Sequence, residues 1–338
     1  MIFGTEKSYI QKYGKSFFWA GFFLPKKLFS NASYLYDFCR IVDNIADDDE
    51  SNKINKAQSL NKFEENFNNK NFDIQVIKNV WDIIDNFSIS PKIFNDLISG
   101  VKSDINQKQP EDFQELTDYS YQVAGTVGLM MAKIMRVTDK KILFRAIDLG
   151  IAMQLTNISR DVLEDSKINR IYIPKKIFPK STISEEFNSF TSKTVMNYPE
   201  INLDNILKNS EEDKDIEIFV TIKRIIQLAE FYYESSMRGI IKLPLKYRFG
   251  ILLAKNLYRE IGRKLKKSDN PTFWRNRSHL NFFEKTLISF KTFFEFILTI
   301  GMKNIPEKYQ TNEIEYYDSI IKHGHDHLEK KFKLNEKF

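Results

Sequence analysis

The sequence predicts an all-α protein that folds as a single helical domain. Two observations support this fold class: the 338-residue chain contains only 12 glycines, and apolar residues recur every three or four positions over long segments. Prolines and short polar stretches separate these segments, as expected at helix ends and in loops. The predicted helices span residues 5–20, 26–47, 53–66, 73–86, 91–104, 112–135, 140–165, 184–195, 215–240, 244–266 and 282–300.

Two of the predicted helices carry matched stripes of polar side chains. In each of them two aspartates lie four residues apart, so the two carboxylates share one face of the helix. The stripes comprise Tyr36, Arg40, Asp43 and Asp47 in the first helix, and Gln154, Asn157, Asp161 and Asp165 in the second. The opposite face of each helix is apolar, which predicts that both helices bury one side and direct their carboxylates from the other.

The composition of these stripes favours a metal site over a solvated helix face. A solvated face usually mixes Lys and Glu, whereas these stripes contain short Asp, Asn and Gln side chains, most of them poor helix formers. Oxygen ligands on facing helices suit a hard cation such as Mg²⁺, which retains waters and is completed by substrate phosphates. A di-iron bundle would require Glu-x-x-His pairs, and no histidine lies near either stretch. For either helix taken alone, a solvated face remains the alternative.

Six motifs, in order along the chain, resemble those of the squalene and phytoene synthase family of head-to-head prenyl transferases. They are KSF (15–17), YxxCRxxDxxxD (36–47), YxxxVAGTVG (119–128), QLTNIxRDVxED (154–165), RxYxP (170–174) and AxxxYREIG (254–262). One such motif is weak evidence, whereas six at the family's spacing are specific.

The resemblance implies an isoprenoid-synthase-type helical bundle that encloses a central active-site cavity, and it implies roles for particular side chains. The acids that bind Mg²⁺, or alternatively Mn²⁺, are Asp43, Asp47, Asp161 and Asp165. The substrate-binding residues are Lys15, Ser16, Phe17, Gln154, Asn157 and Arg160. The catalytic residues are Tyr36, Arg40, Tyr119, Arg170, Tyr172 and Tyr258.

The resemblance further implies phytoene synthesis, because the stretches YREIG (258–262) and WRNR (274–277) look more like carotenoid enzymes than squalene synthases. Two geranylgeranyl diphosphates would condense head to head, through a cyclopropylcarbinyl diphosphate, to give phytoene, and no NADPH would be needed. Squalene or dehydrosqualene synthase, acting on farnesyl diphosphate, is the alternative within this class. A non-catalytic assembly factor is the alternative outside it, although such relatives usually lose the aspartates that are present here.

One position departs from the family pattern. Asn44 follows Asp43, where many family members have a second acid. Asparagine still offers an oxygen ligand but removes a negative charge, so a weaker metal affinity is expected on this helix.

Charge, cysteine content and hydropathy indicate where the protein works. The net charge of +6 is moderate, and the basic residues form no nucleic-acid-binding motif, so nucleic acid is not an expected partner. A cationic surplus suits diphosphates and anionic lipid headgroups equally. Cys39 is the single cysteine, which indicates a reducing compartment. Without a signal-like N-terminus or a bilayer-spanning apolar run, we expect a cytoplasmic enzyme, with peripheral contact to the inner face of the membrane and to downstream carotenoid enzymes left open.

Two C-terminal segments fall outside the motifs. We expect residues 1–310 to form the prenyl transferase domain and residues 311–338 to form a disordered polar tail, in which an HxHxH run lacks the further ligands of a metal site. The Phe-rich stretch from Phe282 to Met302 is expected to be core or a partner-facing helix. An interfacial membrane helix is the alternative for this stretch.

Substrate length is expected to depend on bulky apolar side chains a few turns below the aspartates. The candidates for the floor of the cavity are Phe22, Phe38, Val127 and Met131.

Overall fold

The computed structural model describes residues 9–48, 52–106, 108–175, 212–302 and 312–338, and all regular secondary structure in these ranges is helical. This confirms the predicted all-α class. The α-helices are α1 (Tyr9–Tyr13), α2 (Lys15–Gly21), α3 (Lys26–Asp47), α4 (Lys53–Asn68), α5 (Gln75–Phe87), α6 (Pro91–Asn106), α7 (Phe113–Ser120), α8 (Thr126–Ile134), α9 (Lys140–Arg160), α10 (Val162–Lys167), α11 (Glu212–Ile240), α12 (Leu245–Lys267), α13 (Phe282–Thr299) and α14 (Asn312–Phe332). A π-helical turn at Tyr121–Gly125 joins α7 to α8, and short 3-10 turns occupy Phe273–Arg275 and Leu334–Glu336.

Local sequence signals explain where several helices begin. The side chains of Asp112 and Asp139 accept hydrogen bonds from free backbone N–H groups at the starts of α7 and α9. Asn281 and Glu284 form a reciprocal capping box at the start of α13. Pro25 directly precedes α3, where its fixed φ angle suits a helix start. The predicted bounds of α3, 26–47, agree with the structure.

Three predicted helices are divided in the structure. The first, over 5–20, breaks at Gly14 between α1 and α2, and the one over 112–135 contains the π-helical turn. The third, over 140–165, is interrupted at Asp161, whose φ of −105° and ψ of 18° leave α-helical geometry. Hydrophobic spacing does not reveal such breaks because the buried face continues through them. The helix predicted over 184–195 lies outside the described residues.

α9 is the central helix, and it packs against α8, α11, α12 and the π-helical turn. Leu143, Ile147 and Ile151 on α9 are completely buried. The contact with the chain before α8 depends on Gly150, where an added Cβ would lie 2.2 Å from the carbonyl oxygen of Ala124. Glycine at this position therefore lets two backbones approach closely.

The C-terminal segment contains a packed helix, α14, where the sequence led us to expect a disordered tail. His325 Nε2 lies 2.7 Å from Oδ1 of Asp148, and His327 Nε2 lies 2.9 Å from Oδ1 of Asp118. Lys331 donates to the other oxygen of Asp118 at 2.7 Å. The expectation considered only the polarity of the segment, whereas its polar groups pair with two buried aspartates of the bundle. Side chains two apart on a helix point in different directions, so the two histidines bind different aspartates.

α13 lies on the surface of the bundle, so the expectation that the Phe-rich stretch forms core is wrong. Phe283 is 81% exposed and Leu298 is 68% exposed. Throughout the part of the chain that the structure describes, each helix falls short of the length or the hydropathy required to cross a bilayer.

Candidate active site

α3 carries the first pair of aspartates close to its C-terminal end. Asp43 and Asp47 lie one turn apart, and Arg170, from the loop after α10, places Nη1 2.6 Å from Oδ1 of Asp47. Arg40 lies one turn before Asp43, and its guanidinium carbon is 4.7 Å from the ring centre of Tyr13. The Nε of Arg40 is buried and has no hydrogen-bond partner among the described residues. A buried cationic donor in this state favours an anionic ligand.

Two arginines hold Asp161, which lies at the break between α9 and α10. Arg160 donates from Nε to Oδ1 at 2.7 Å and from Nη2 to Oδ2. Arg277 donates from Nε to Oδ1 at 2.9 Å and from Nη2 to Oδ2 at 3.4 Å. The backbone N–H of Asp165 donates to the carbonyl oxygen of Asp161 at 2.8 Å, so the second pair keeps its helical spacing across the break. Arg160, expected to bind substrate, thus also orients a carboxylate.

A buried aspartate on α6, Asp104, joins two of the predicted catalytic tyrosines. Tyr119 donates to Oδ2 of Asp104 at 3.1 Å, and Tyr172 donates to Oδ1 at 2.9 Å. The two hydroxyls are 3.1 Å apart, and the rings stack with centroids separated by 4.9 Å. One carboxylate therefore fixes the orientation of both aromatic rings.

The two aspartate pairs share one electrostatic environment. Burial and then the charge of Asp47 raise the pKa of Asp43 to about 7. Burial and then the charge of Asp161 raise the pKa of Asp165 to about 8. Burial also raises the pKa of Asp104 to about 6. Residues of both polar stripes, on α3 and on α9, line one cavity, so the helices that carry the two pairs face each other, as predicted.

The donors at this site fit a hard cation such as Mg²⁺. Crowded carboxylates with raised pKa values are stabilised in their ionised form by a divalent cation. Within the described ranges, no three His, Cys, Asp or Glu side chains form a group that could hold one ion. Mg²⁺ is commonly held by one or two carboxylates, with substrate phosphates and water completing its octahedron. Asn157 offers a further oxygen, since its Oδ1 is buried and has no hydrogen-bond partner among the described residues.

A cavity of about 270 Å³ begins one helical turn below the aspartates. Its lining runs along α3 from Phe29 to Cys39 and along α9 from Ile142 to Asn157. The stretch on α9 is roughly 22 Å long at a rise of 1.5 Å per residue. The walls are largely apolar, and Gln154 lies with Asn157 at the aspartate end, where Asn157 donates to Gln154 at 3.3 Å. This shape suits a ligand with an anionic head and a long apolar tail.

Aromatic rings surround the end of the cavity that lies nearest the aspartates. Phe17 and Tyr36 line the cavity, with ring centroids 6.5 Å apart, and Phe17 lies 4.8 Å from the ring of Tyr258. Burial raises the pKa of Tyr258 to about 12, so its hydroxyl stays neutral. Neutral aromatic faces stabilise a nearby positive charge.

Two predicted substrate-binding residues do not line the cavity. Lys15 and Ser16 begin α2, and Lys15 is exposed. Burial and then the positive charge of Lys15 lower the pKa of Lys285. Among the described ion pairs, Lys15 is not joined to any of the four aspartates.

Two of the four residues predicted to form the floor of the cavity do line it. Val127 and Met131 line the cavity. Phe22 is 69% exposed, and Phe38 is completely buried against the rings of α4 and α6 instead. Phe38 points away because Tyr36 and Cys39 already occupy the face of α3 that meets the cavity.

Sequence reasoning missed two residues of the site, Asp104 and Arg277. Asp104 had a detectable signal, since it lies on the same face of α6 as the buried Ile93, Leu97 and Val101, and an acid on an apolar face is unusual. Arg277 had no such signal. Its contact with Asp161 spans 116 residues and depends on how the loop after α12 folds back.

Comparison with known proteins agrees with this geometry. A family model described as squalene/phytoene synthase matches residues 10–284, which is most of the chain. The chain belongs to the squalene/phytoene synthase family. A phytoene synthase from Pseudescherichia vulneris is 34% identical over 197 residues, which cover 58% of this chain and 57% of that protein. A 15-cis-phytoene synthase from Enterobacter agglomerans is 29% identical over 281 residues, which cover 80% of this chain and 88% of that one.

Solved structures show the same family fold. A dehydrosqualene synthase solved with a ligand is 27% identical, with a TM-score of 0.64 over 86% of this chain and 95% of that one. The squalene synthase HpnC from Alicyclobacillus acidocaldarius, at 18% identity and a TM-score of 0.60, shares the fold. These likenesses confirm the isoprenoid-synthase-type helical bundle. The chain matches little more than half the length of some curated relatives, 57% and 52% in two of them.

The raised carboxyl pKa values predict that Mg²⁺ affinity increases with pH. At pH about 6 Asp43 and Asp165 hold protons that Mg²⁺ must displace, so we expect an affinity gain of about tenfold or more between pH 6 and 9. A raised carboxyl pKa stabilises the metal-free fold at low pH, and this contribution is lost as pH rises towards 7 and 8. Melting temperatures measured with and without Mg²⁺ across this range check both trends.

The matched control for this pH dependence is the double variant Asp43→Asn and Asp165→Asn. Without the two titrating carboxyls, the melting temperature of the metal-free protein should lose most of its dependence on pH over the same range. An unchanged dependence in the double variant would assign the titration to other groups.

Proposed function

We propose that this protein is a Mg²⁺-dependent phytoene synthase that joins two geranylgeranyl diphosphates head to head. The observation that carries the proposal is the long apolar cavity that begins one turn below two facing aspartate pairs. The cavity suits a prenyl chain, and the polar end suits diphosphate. The similarity to proteins named phytoene synthase supports geranylgeranyl diphosphate as the substrate rather than the shorter farnesyl diphosphate.

The polar end is built to stabilise a departing diphosphate. The aspartates would hold Mg²⁺, which would supply positive charge as the allylic C–O bond breaks. Arg40 and Arg170 offer forked donors to phosphate oxygens, and Arg40 has an unpartnered Nε ready for this contact. Arg160 and Arg277 keep the carboxylate of Asp161 oriented throughout. Fixed charges of this kind stabilise charge that develops in the transition state.

The apolar part of the site protects the cations that form. The first allylic cation alkylates the second geranylgeranyl diphosphate, and loss of one proton gives the cyclopropylcarbinyl diphosphate. A second ionisation, rearrangement and loss of another proton give phytoene, so that each diphosphate released is matched by one proton. Tyr36, Phe17 and Tyr258 offer ring faces to these cations, and the apolar walls exclude water that would quench them.

We expect geranylgeranyl diphosphate to be preferred to farnesyl diphosphate by about tenfold or more in kcat/KM. The extra isoprene unit buries several CH₂ equivalents at about 0.8 kcal/mol each, partly offset by the cost of ordering the chain. Competition between the two substrates in the presence of Mg²⁺, with product analysis by mass, measures the preference. A dominant thirty-carbon product would instead assign the squalene or dehydrosqualene reaction that the ligand-bound structural relative suggests.

A matched pair of variants links this preference to the cavity. Met135 lines the cavity beside Ile142, at the end remote from the aspartates, so Met135→Trp should lower turnover of geranylgeranyl diphosphate and spare farnesyl diphosphate. Phe22→Trp, at an exposed position outside the cavity, should change neither rate. Failure of the pure protein to consume either diphosphate would favour the non-catalytic assembly role.

The proposal also includes location. We place the enzyme in the cytoplasm, working without NADPH at the inner face of the membrane, where enzymes that act on phytoene receive its lipid product. The apolar character of both product and cavity supports this placement.

A further inference from the structure

α13 has largely inverted amphipathicity, because several of its polar side chains face the protein and most of its apolar side chains face solvent. Trp19 donates from Nε1 to Ser289 at 3.0 Å, and Asn256 donates to Thr292 at 3.0 Å and to Glu295 at 2.6 Å. The outward side chains, each between 46% and 81% exposed, are Phe282, Phe283, Leu287, Phe290, Phe293, Phe294, Ile297 and Leu298. A surface helix of a soluble domain normally shows the opposite arrangement. This face therefore marks an interaction surface.

The exposed face of α13 continues onto the segments beside it. The ring of Phe249 contacts Phe23 at 5.0 Å and Phe293 at 6.4 Å between centroids, which joins α13 to the end of α2. Phe22, which directly follows α2, and Leu245, which begins α12, are 69% and 47% exposed. We call the outward side chains of α13, together with Phe22, Phe23 and Leu245, the aromatic face.

Exposed lysines border the aromatic face. They are Lys26, Lys27, Lys246 and Lys291. The acids of α13 do not offset them, since Glu284 pairs with Lys264 at 2.5 Å and Glu295 turns inward to Asn256. An apolar surface with a cationic border complements an anionic lipid bilayer, in which headgroups attract lysines and the acyl boundary accepts aromatic rings.

The aromatic face lies directly outside the wall of the cavity. Leu24 and Gly250 line the cavity and touch, since a Cβ at Gly250 would lie 2.5 Å from Leu24 Cδ2. Their chain neighbours Phe23 and Phe249 contact each other on the outer side. One layer of side chains therefore separates the cavity from whatever covers the aromatic face.

We propose that the aromatic face docks this protein on an anionic lipid bilayer. A second copy of the chain is a poorer occupant, because face-to-face pairing would bring two identical lysine borders together. The proposal rests on the membrane location proposed above and names the surface that makes the contact. It does not depend on which prenyl diphosphate the enzyme uses.

Vesicle flotation tests the docking without any measurement of turnover. The full chain should float with phosphatidylcholine vesicles that contain phosphatidylglycerol, and weakly with phosphatidylcholine alone. The triple variant Leu287→Ser, Phe290→Ser and Phe294→Ser should lose about tenfold or more of this binding. Its control is Ile54→Ser, which removes a 69% exposed apolar side chain from α4 and should bind as the unchanged protein does.

Charge reversal gives a second test that leaves the aromatic face intact. Lys27→Glu with Lys246→Glu should weaken binding to anionic vesicles about tenfold, and both acids lie in first turns of helices, where they are tolerated. Lys53→Glu with Lys78→Glu, exposed on α4 and α5, is the matched control.

Three results would overturn the docking proposal. The first is that the unchanged protein does not float. The second is that both test variants float as well as the unchanged protein. The third is that light scattering shows a dimer of the unchanged protein and a monomer of the triple variant. The last result would assign the aromatic face to a second copy. None of the three bears on phytoene synthesis, which the product assay decides separately.

Discussion

Asp161→Asn and Asp47→Asn should each lower turnover by about a hundredfold or more, equivalent to roughly 2.7 kcal/mol of transition-state stabilisation. In the proposed mechanism, each variant removes a carboxylate charge that would hold Mg²⁺ beside the departing diphosphate. At Asp161 this charge is held in a fixed position, because Arg160 and Arg277 each donate to both carboxylate oxygens. Single-turnover rates with geranylgeranyl diphosphate and saturating Mg²⁺ measure the loss.

The control for these two variants is Asp85→Asn, which removes an exposed acid on α5, a helix that contributes no side chain to the cavity, and should leave turnover unchanged. Melting temperatures separate lost chemistry from lost folding, which matters for Asp47 because its ion pair with Arg170 is also broken. Near-normal rates in EDTA would overturn the metal-dependent mechanism altogether.

Asp104→Leu should lower kcat by about tenfold to a hundredfold with a smaller effect on KM. Leucine leaves the buried hydroxyls of Tyr119 and Tyr172 without the acceptor that orients both rings. Asp104→Asn keeps one acceptor oxygen and should lose less. Steady-state kinetics on the two variants measure this difference in kcat. Equal kcat values for the two variants would contradict a role of Asp104 in orienting the rings.

A mutant cycle distinguishes positioning from a general loss of stability. If Asp104 acts through the tyrosines, then Asp104→Asn should cost little in a background of Tyr119→Phe and Tyr172→Phe, where no hydroxyl needs an acceptor. Additive losses across the cycle would show instead that the Asp104 charge acts directly on the aspartate pairs, whose pKa values it raises.

Helical spacing alone identified the aspartate stripes and the bounds of α3. The stripes could be read because residues three and four apart share a face of a helix regardless of what surrounds it. The same spacing correctly placed Leu35, Phe38 and Val42 on the buried side of α3. It could not show that Phe38 packs against the rings of α4 and α6, away from the cavity.

Two features depended on contacts between residues far apart in the chain. Asp104 joins the site only because α6 packs beside the loop that carries Tyr172. α14 packs on the bundle because buried carboxylates such as Asp148 require hydrogen-bond donors. The sequence of α14 alone does not show that these carboxylates lie beside it.

α13 shows most clearly where local sequence stops being informative. Its pattern of phenylalanines fits a helix with one apolar face, and the sequence settles the helix and the face. Which face meets the protein was decided by three donors of the bundle. Trp19 donates to Ser289, Asn256 donates to Thr292, and Arg248 donates to the carbonyl oxygen of Thr299. Local spacing determines which side chains lie together, whereas the burial and hydrogen bonding of distant partners determine which way they point.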